Sequence, residues 1–204
     1  MAEHVATQAA FRDDELKPCL DAATAGEGHV FFVDAAHFVF GTFLCCLWSF
    51  VRIFVRAASG RQRFNVLGAW DAVARRLIAV TNTTVVNTET MCQLLREVAA
   101  AGLSGPITIV LDNARYQRNA VVQALAKELG MTLLYLPSYS PNLNLIERLW
   151  KFLRKKALNR WHRTFEEMQA AVAEVLDHLD AYRDEVATLM TEQFHLVEVA
   201  EAVA

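Results

Sequence analysis

No pair of cysteines in this 204-residue chain has Cys-x-x-Cys spacing. The four present, Cys19, Cys45, Cys46 and Cys92, make a poor structural zinc site, and no secretory signal precedes them, so a reduced, cytoplasmic setting is expected. Membrane-spanning length is also missing. From Phe38 to Val55 only Arg52 is charged, but the uninterrupted apolar run is about 14 residues, short of the roughly 18 to 20 that a bilayer helix needs. Arg52, Arg56, Arg61 and Arg63 follow closely, and the β-branched and aromatic content fits extended chain or a partner-facing segment. Internal repeats, low-complexity tracts and linkers are absent too. One domain with one good core and a small appendage is the expectation for this length at 54% hydrophobic content.

Positive charge is scarce over the whole chain, whose net charge is −3. Its distribution reverses the meaning of that figure. Residues 1–28 hold two Lys/Arg against six Asp/Glu, and residues 164–204 hold one against ten. The middle, 29–163, keeps 17 against seven, a net of +10. A core of that sign suits a phosphate backbone, while a merely solvated basic face is the plainer alternative. From Arg148 to Arg163 there are seven Lys/Arg and no acid, which reads as an edge that tracks phosphates.

Residues 1–28 read as a tail or a short helix. Apolar continuity and aromatic content predict a buried strand over 29–40. Two further apolar runs, 64–70 and 77–80, flank the polar connection at 71–76 and complete a three-strand meander. Helical spacing of Met91, Leu94, Leu95 and Val98 predicts a helix over 91–101 that stops at Gly102. Gly105-Pro106 opens a strand at 107–112, and a helix over 117–129 carries Val121, Leu125 and Leu129 on one face. A strand at 131–136 ends at Pro137. Leu143, Ile146, Trp150, Leu153 and Ala157 set a helix over 142–158, and Thr164 with Glu167 forms a capping box for a last amphipathic helix. The order is β-β-β-α-β-α-β-α, an α/β mixed sheet flanked by helices on its faces, as in the RNase H-like folds.

Three acids stand out within this order. Asp34 lies among Phe, Val and Ala in the first strand, where an unpartnered carboxylate is strongly destabilising. It is either paired with an arginine or functional. Asp112 ends a strand, at the place where open α/β sheets bind ligands, although an Asp there also caps the following helix. Glu147 follows Asn144 by three, the spacing of a capping box. Lys151 and Arg154 nevertheless share its side of the helix, which would set a carboxylate beside phosphate-binding cations. Carboxylates converging from separate elements make an oxygen-rich site for Mg²⁺ or Mn²⁺. His37 points away from Asp34 in a regular strand and reads as core or as a support behind the site. Asn113, Asn142 and Asn144 can orient a ligand or phosphate, or serve the loops and caps.

These residues carry a resemblance. The stretches Phe32-Val33-Asp34-Ala35-Ala36-His37, residues 60–68 from Gly60-Arg61-Gln62-Arg63, Leu111-Asp112-Asn113-Ala114-Arg115, and residues 136–147 through Ser140-Pro141-Asn142-Leu143-Asn144-Leu145-Ile146-Glu147 resemble the DDE transposases of bacterial insertion sequences, in the branch related to Tc and mariner elements. The last stretch is the most specific, and the 34 residues between Asp112 and Glu147 agree with the spacing of that branch. The resemblance spans about residues 29 to 160.

It implies an RNase H-like catalytic domain over 29–163, with an N-terminal tail at 1–28 and a C-terminal helical extension at 164–204. Asp34, Asp112 and Glu147 would be the catalytic residues, holding two Mg²⁺ ions with Mn²⁺ as substitute. The chemistry would be DNA cleavage at inverted repeats and joining of the freed 3′ ends to a target, typically at TA. Arg61, Arg63, Arg115, Arg148, Lys151, Arg154 and Lys155 would bind DNA. The partners implied are element ends and target DNA, a homodimer on that DNA, and no membrane. Family members usually carry an N-terminal helix-turn-helix region, which 28 residues before the first strand cannot hold. A split reading frame, a truncated copy or an isolated catalytic part would account for that. Two rival readings are an RNase H-like nuclease without strand transfer and a truncated copy that regulates full-length transposase.

Overall fold

The computed structural model of the protein describes residues 2–41, 50–51, 62–191, 194 and 196. Arg61, Cys45, Cys46 and most of the Phe38–Val55 run lie outside the described residues.

Five strands form one sheet: β1 (His29–Val39), β2 (Arg63–Asp71), β3 (Leu77–Asn82), β4 (Ile107–Leu111) and β5 (Met131–Tyr135), in the order β3-β2-β1-β4-β5. The meander β1-β2-β3 is antiparallel, while β4 and β5 continue parallel to β1. Central β1 is buried on both faces over Val30–Val33, which explains its unbroken apolar run. Its side chains alternate between two cores. Phe31 and Val33 join Met91, Leu94 and Val122 beneath α3 (Thr88–Ala100) and α4 (Ala120–Glu128). Phe32, Ala36 and Phe38 join Leu149, Trp150 and Leu153 of α5 (Ile146–Ala157) on the other face. The result is an α/β sandwich with the mixed sheet in the middle.

The helix ends depart from their predicted places for local reasons. α3 begins at Thr88 because Asn87 accepts from the Thr90 N–H while the Thr90 hydroxyl accepts from the Asn87 N–H, a reciprocal cap. α4 begins at Ala120, where Asn119 accepts from the Val121 N–H. Its buried face is therefore Val122 and Ala126, with Leu125 and Leu129 partly buried, whereas Val121 is 60% exposed. Residues Pro141–Leu143 form a single 3-10 turn, so α5 starts only at Ile146.

Residues 2–24, where the sequence suggests a tail or a short helix, form α1 (Ala2–Ala10), a π-helical turn at Phe11–Leu16 and α2 (Lys17–Thr24). Phe11, Leu16, Leu20 and Ala23 are buried in the α5-side core. α6 (Phe165–Asp177) and α7 (Arg183–Leu189) join the same core through Met168, Val172 and Val186. Thr164 caps α6 by accepting from the Glu167 N–H at 3.2 Å, and the Glu167 carboxylate accepts from the Arg163 N–H at 2.7 Å. Cys19 and Cys92 are free thiols. Among the described residues no helix is long and apolar enough to cross a membrane.

Candidate active site

The register of the sheet brings two of the acids together. β1 outlasts β4: their last pair is Val33 with Leu111, so Asp34 and Asp112 are the next residues along neighbouring parallel strands. Both follow the alternation of Phe32 and Val110, which places them on the α5 face at the carboxyl end of β4. On its other side Asp34 still pairs with Gly68 of β2. Glu147 enters from above, in the first turn of α5. All three carboxylates line one cavity of about 360 Å³, closed on its remaining side by the 136–141 loop and Asn144.

Asp34 has no arginine partner among the described residues; its Oδ2 accepts from the Trp150 indole at 3.0 Å. Burial first, then the facing charges of Glu147 and Asp112, push its carboxyl up to about 7, against hydrogen bonds from the Ala35 backbone and Trp150 that pull it down. Asp112 does have a local role, since its Oδ1 accepts from the Ala114 N–H at 3.1 Å, but that turn ends before α4, which Asn119 caps. Glu147 is not in a capping box. Leu145 is the N-cap of α5, and Asn144 donates instead to the Val33 carbonyl at 3.2 Å.

Several residues of the site were not singled out from sequence. Trp150 is one, and Gly68 makes room for it: a Cβ on Gly68 would lie 2.6 Å from the far edge of the indole. Gly68→Ala is therefore expected to destabilise the protein by about 1–3 kcal/mol through overpacking and to loosen the indole from Asp34, measurable by denaturant unfolding. Trp150→Phe removes the donor that holds the Asp34 carboxyl down. Its pKa should rise further, seen as a shift to higher pH in the stability profile of the variant. Tyr116 is a third. Burial, then Asp112 and Asp34, raise its phenol well above the ordinary range, so it faces the same negative field as a neutral hydroxyl.

Of the asparagines, Asn113 donates to the Leu136 carbonyl at 2.7 Å and accepts from Arg118, tying together the loops that follow β4 and β5. Asn142 donates to buried Gln8 of α1 at 2.9 Å. Asn144 is 3% exposed, and its amide orientation is fixed because only Nδ2 can donate to a carbonyl; its buried Oδ1 has no hydrogen-bond partner among the described residues. His37 is exposed on the opposite face of β1 and hydrogen-bonds Asn65 at 2.7 Å, so it neither fills the core nor supports the carboxylates.

The expected DNA-binding cations are spread differently. Arg63 and Arg115 are exposed, Arg63 at the start of β2 opposite Val39 and Arg115 next to cavity-lining Ala114. Lys151 and Lys155 are exposed on α5, and Arg154 lies over the Phe38 ring at 5.9 Å. The Trp150–Asp34 and Arg154–Phe38 contacts show that α5 runs along β1, away from the carboxylates. Arg148 is engaged within the protein: its guanidinium donates to the Leu189 and Thr191 carbonyls at 3.1 and 2.6 Å, and burial lowers its pKa.

The donor set suits a hard divalent cation. The cavity gathers three carboxylates, and the facing charges of Glu147 and Asp112 help to raise the pKa of Asp34. As placed, no three His, Cys, Asp or Glu side chains among the described residues stand close enough together to ligate one ion. The acids share the cavity without closing to a common centre.

The chain is similar to known proteins in fold and in part of its sequence. The chain is similar in fold to a Mos1 strand transfer complex (TM-score 0.63, 12% identity, 96% of this chain and 63% of that one) and to a Mos1 mariner paired end complex with Mn (TM-score 0.65, 14% identity, 92% and 60%). It is similar over nearly all of the isolated Mos1 transposase catalytic domain, solved with Raltegravir and Mg (TM-score 0.61, 12% identity, 96% and 98%). This chain thus spans less than two thirds of the longer Mos1 chains. No curated protein matches it. A family model described as DDE superfamily endonuclease matches residues 51–169, more than half of the chain, taking in Asp112 and Glu147 and beginning after Asp34. The chain belongs to the DDE superfamily endonucleases, and its RNase H-like sheet is the fold of a mariner transposase catalytic domain.

Proposed function

We propose that this chain is the catalytic domain of an insertion-sequence transposase that cuts DNA and joins the freed 3′ ends to a target. The observation that carries the reading is the convergence of Asp34, Asp112 and Glu147, from β1, the end of β4 and the first turn of α5, on one cavity. Asp34, Asp112 and Glu147 would hold two Mg²⁺ ions, or Mn²⁺ in their place, and the solved relatives with Mg and Mn support that choice. When bound, such ions activate a water or 3′-hydroxyl and stabilise the leaving oxygen of an in-line displacement at phosphorus.

The remaining work falls to the protein. Trp150 holds Asp34 in its place and Asn144 secures the Val33 carbonyl beside it. Asn113, Ala114 and the 136–141 loop wall off the cavity. Arg115, Lys151, Arg154 and Lys155 are the cations best placed to hold the substrate backbone, with Arg63 at the start of β2; Arg61 joins them on its place in the sequence alone, and Arg148 contributes by fastening α5 to the chain around Thr191. Pairing of two element ends calls for a homodimer on DNA, and the reaction belongs in the cytoplasm.

The test is joining. A duplex carrying the terminal repeat that flanks the gene, ending in a 3′-hydroxyl, should become covalently linked to a target plasmid. A dideoxy end should abolish the product. Cleavage without any joined product would make the protein a nuclease and sink the strand-transfer reading.

A further inference from the structure

Tyr139 is the residue that neither folding nor the proposed catalytic set explains. It is 82% exposed, so packing does not require an aromatic ring there. Its φ is 57°, in the left-handed region that glycine and asparagine adopt cheaply and a tyrosine does not. Among the described residues only one other non-glycine, Arg75, has a positive φ, and Arg75 is not at the cavity. The loop itself is firmly held on both sides of Tyr139. The Leu136 N–H donates to the Leu111 carbonyl at 2.8 Å, Asn113 donates to the Leu136 carbonyl, and buried Ser140 accepts the Leu143 N–H through its carbonyl at 3.1 Å. A strained backbone on a fixed loop thus displays an aromatic face to solvent, in the wall of the cavity that holds Asp34, Asp112 and Glu147. Strain retained without a packing return is what a ligand contact leaves in a free protein.

We propose that Tyr139 is a stacking platform for an unpaired base of the strand being processed, placing the neighbouring phosphate at the three carboxylates. The proposal rests on the DNA-cutting reading above. A base is the occupant the surroundings select: the cavity's acids address a phosphate, Arg115 next to cavity-lining Ala114 and Lys151 one turn beyond Glu147 on α5 are exposed cations, and the nearest group that a phosphodiester offers to an aromatic face is its own nucleobase. A base in continuous duplex has both faces covered, so the platform takes one from an end, overhang or opened step. Tyr139 is a positioning residue in this account and performs no proton transfer.

The experiment uses the full chain and a duplex with a short single-stranded overhang carrying 2-aminopurine at each overhang position in turn, with Ca²⁺ replacing Mg²⁺. Wild type and Tyr139→Phe should quench the fluorophore at one position. Tyr139→Ala and Tyr139→Gly should lose that quenching and bind about tenfold more weakly. Tyr139→Gly should meanwhile unfold at the same or a higher temperature, since it removes the backbone strain; a residue with a purely structural role would not trade binding against stability in this way. Equal binding and equal quenching by all four proteins would overturn the assignment and leave the DNA reading standing. Failure of the wild type to bind any of the duplexes would overturn both.

Discussion

Metal-free protein carrying Asp34→Asn is expected to be more stable than wild type at pH 8, by an amount on the order of 4 kcal/mol. The unfolded carboxyl titrates near its ordinary value of 3.8, whereas in the fold burial and the charges of Glu147 and Asp112 push it up to about 7. The folded state therefore binds a proton more tightly than the unfolded state. The associated stability is fully present below the unfolded pKa, declines as the unfolded chain ionises, and is gone once pH has risen through about 7. Asparagine fills the same space, can still accept from Trp150, and does not ionise. The difference between variant and wild type should thus be small near pH 4, grow up to about pH 7 and then level off. Mg²⁺ or Mn²⁺ at pH 8 should restore wild-type stability by neutralising the site, with much less effect on the variant. Denaturant unfolding at several pH values reads both. Parallel profiles for the two proteins would mean that Asp34 ionises at no cost and that no negative field gathers around it.

Asp112→Asn is expected to reduce metal-dependent DNA cleavage by about 10³-fold or more while leaving the fold intact. The structural contribution of Asp112 is the hydrogen bond from the Ala114 N–H to Oδ1, and an asparagine oxygen accepts that bond equally well. What the substitution removes is one negative charge from the wall of the cavity, and with it a strong ligand for a hard cation. Loss of cleavage at unchanged melting temperature would assign the effect to the site. Retained cleavage would show that Asp112 is only the Asx turn it also forms.

The carboxylate site was legible because an acid inside an apolar strand, or at a strand's carboxyl end, breaks the local pattern. Asp34 and Asp112 did so, and the sheet register then made them neighbours. The number of strands and their succession along the chain were equally legible, since alternation and turn residues are local signals; the sheet order β3-β2-β1-β4-β5 was not. Elsewhere the decisive contacts lie far apart in sequence. Trp150 reads as core, and it is core, yet its indole edge serves Asp34 across the space that Gly68 leaves on the adjacent strand. Arg148 has the position of a phosphate contact but meets carbonyls more than forty residues downstream. Val121 and Val122 are adjacent and equally apolar, so the buried face of α4 depends on where Asn119 starts the helix. Asn144 has the spacing of a cap, and β1 takes its amide instead. The acidic composition of residues 1–28 hid the apolar side of the π-helical turn and α2, Phe11, Leu16, Leu20 and Ala23, that only the α5-side core reveals.

The most direct test of the central claim is nicking of a supercoiled plasmid by the wild-type chain and by Asp112→Asn, each in Mg²⁺, Mn²⁺ and EDTA. Asp34, Asp112 and Glu147 acting as a cation site predict nicking by the wild type in either metal, none in EDTA, and none by the variant. Nicking that survives EDTA or the substitution, or a folded wild type that nicks in neither metal, would contradict it.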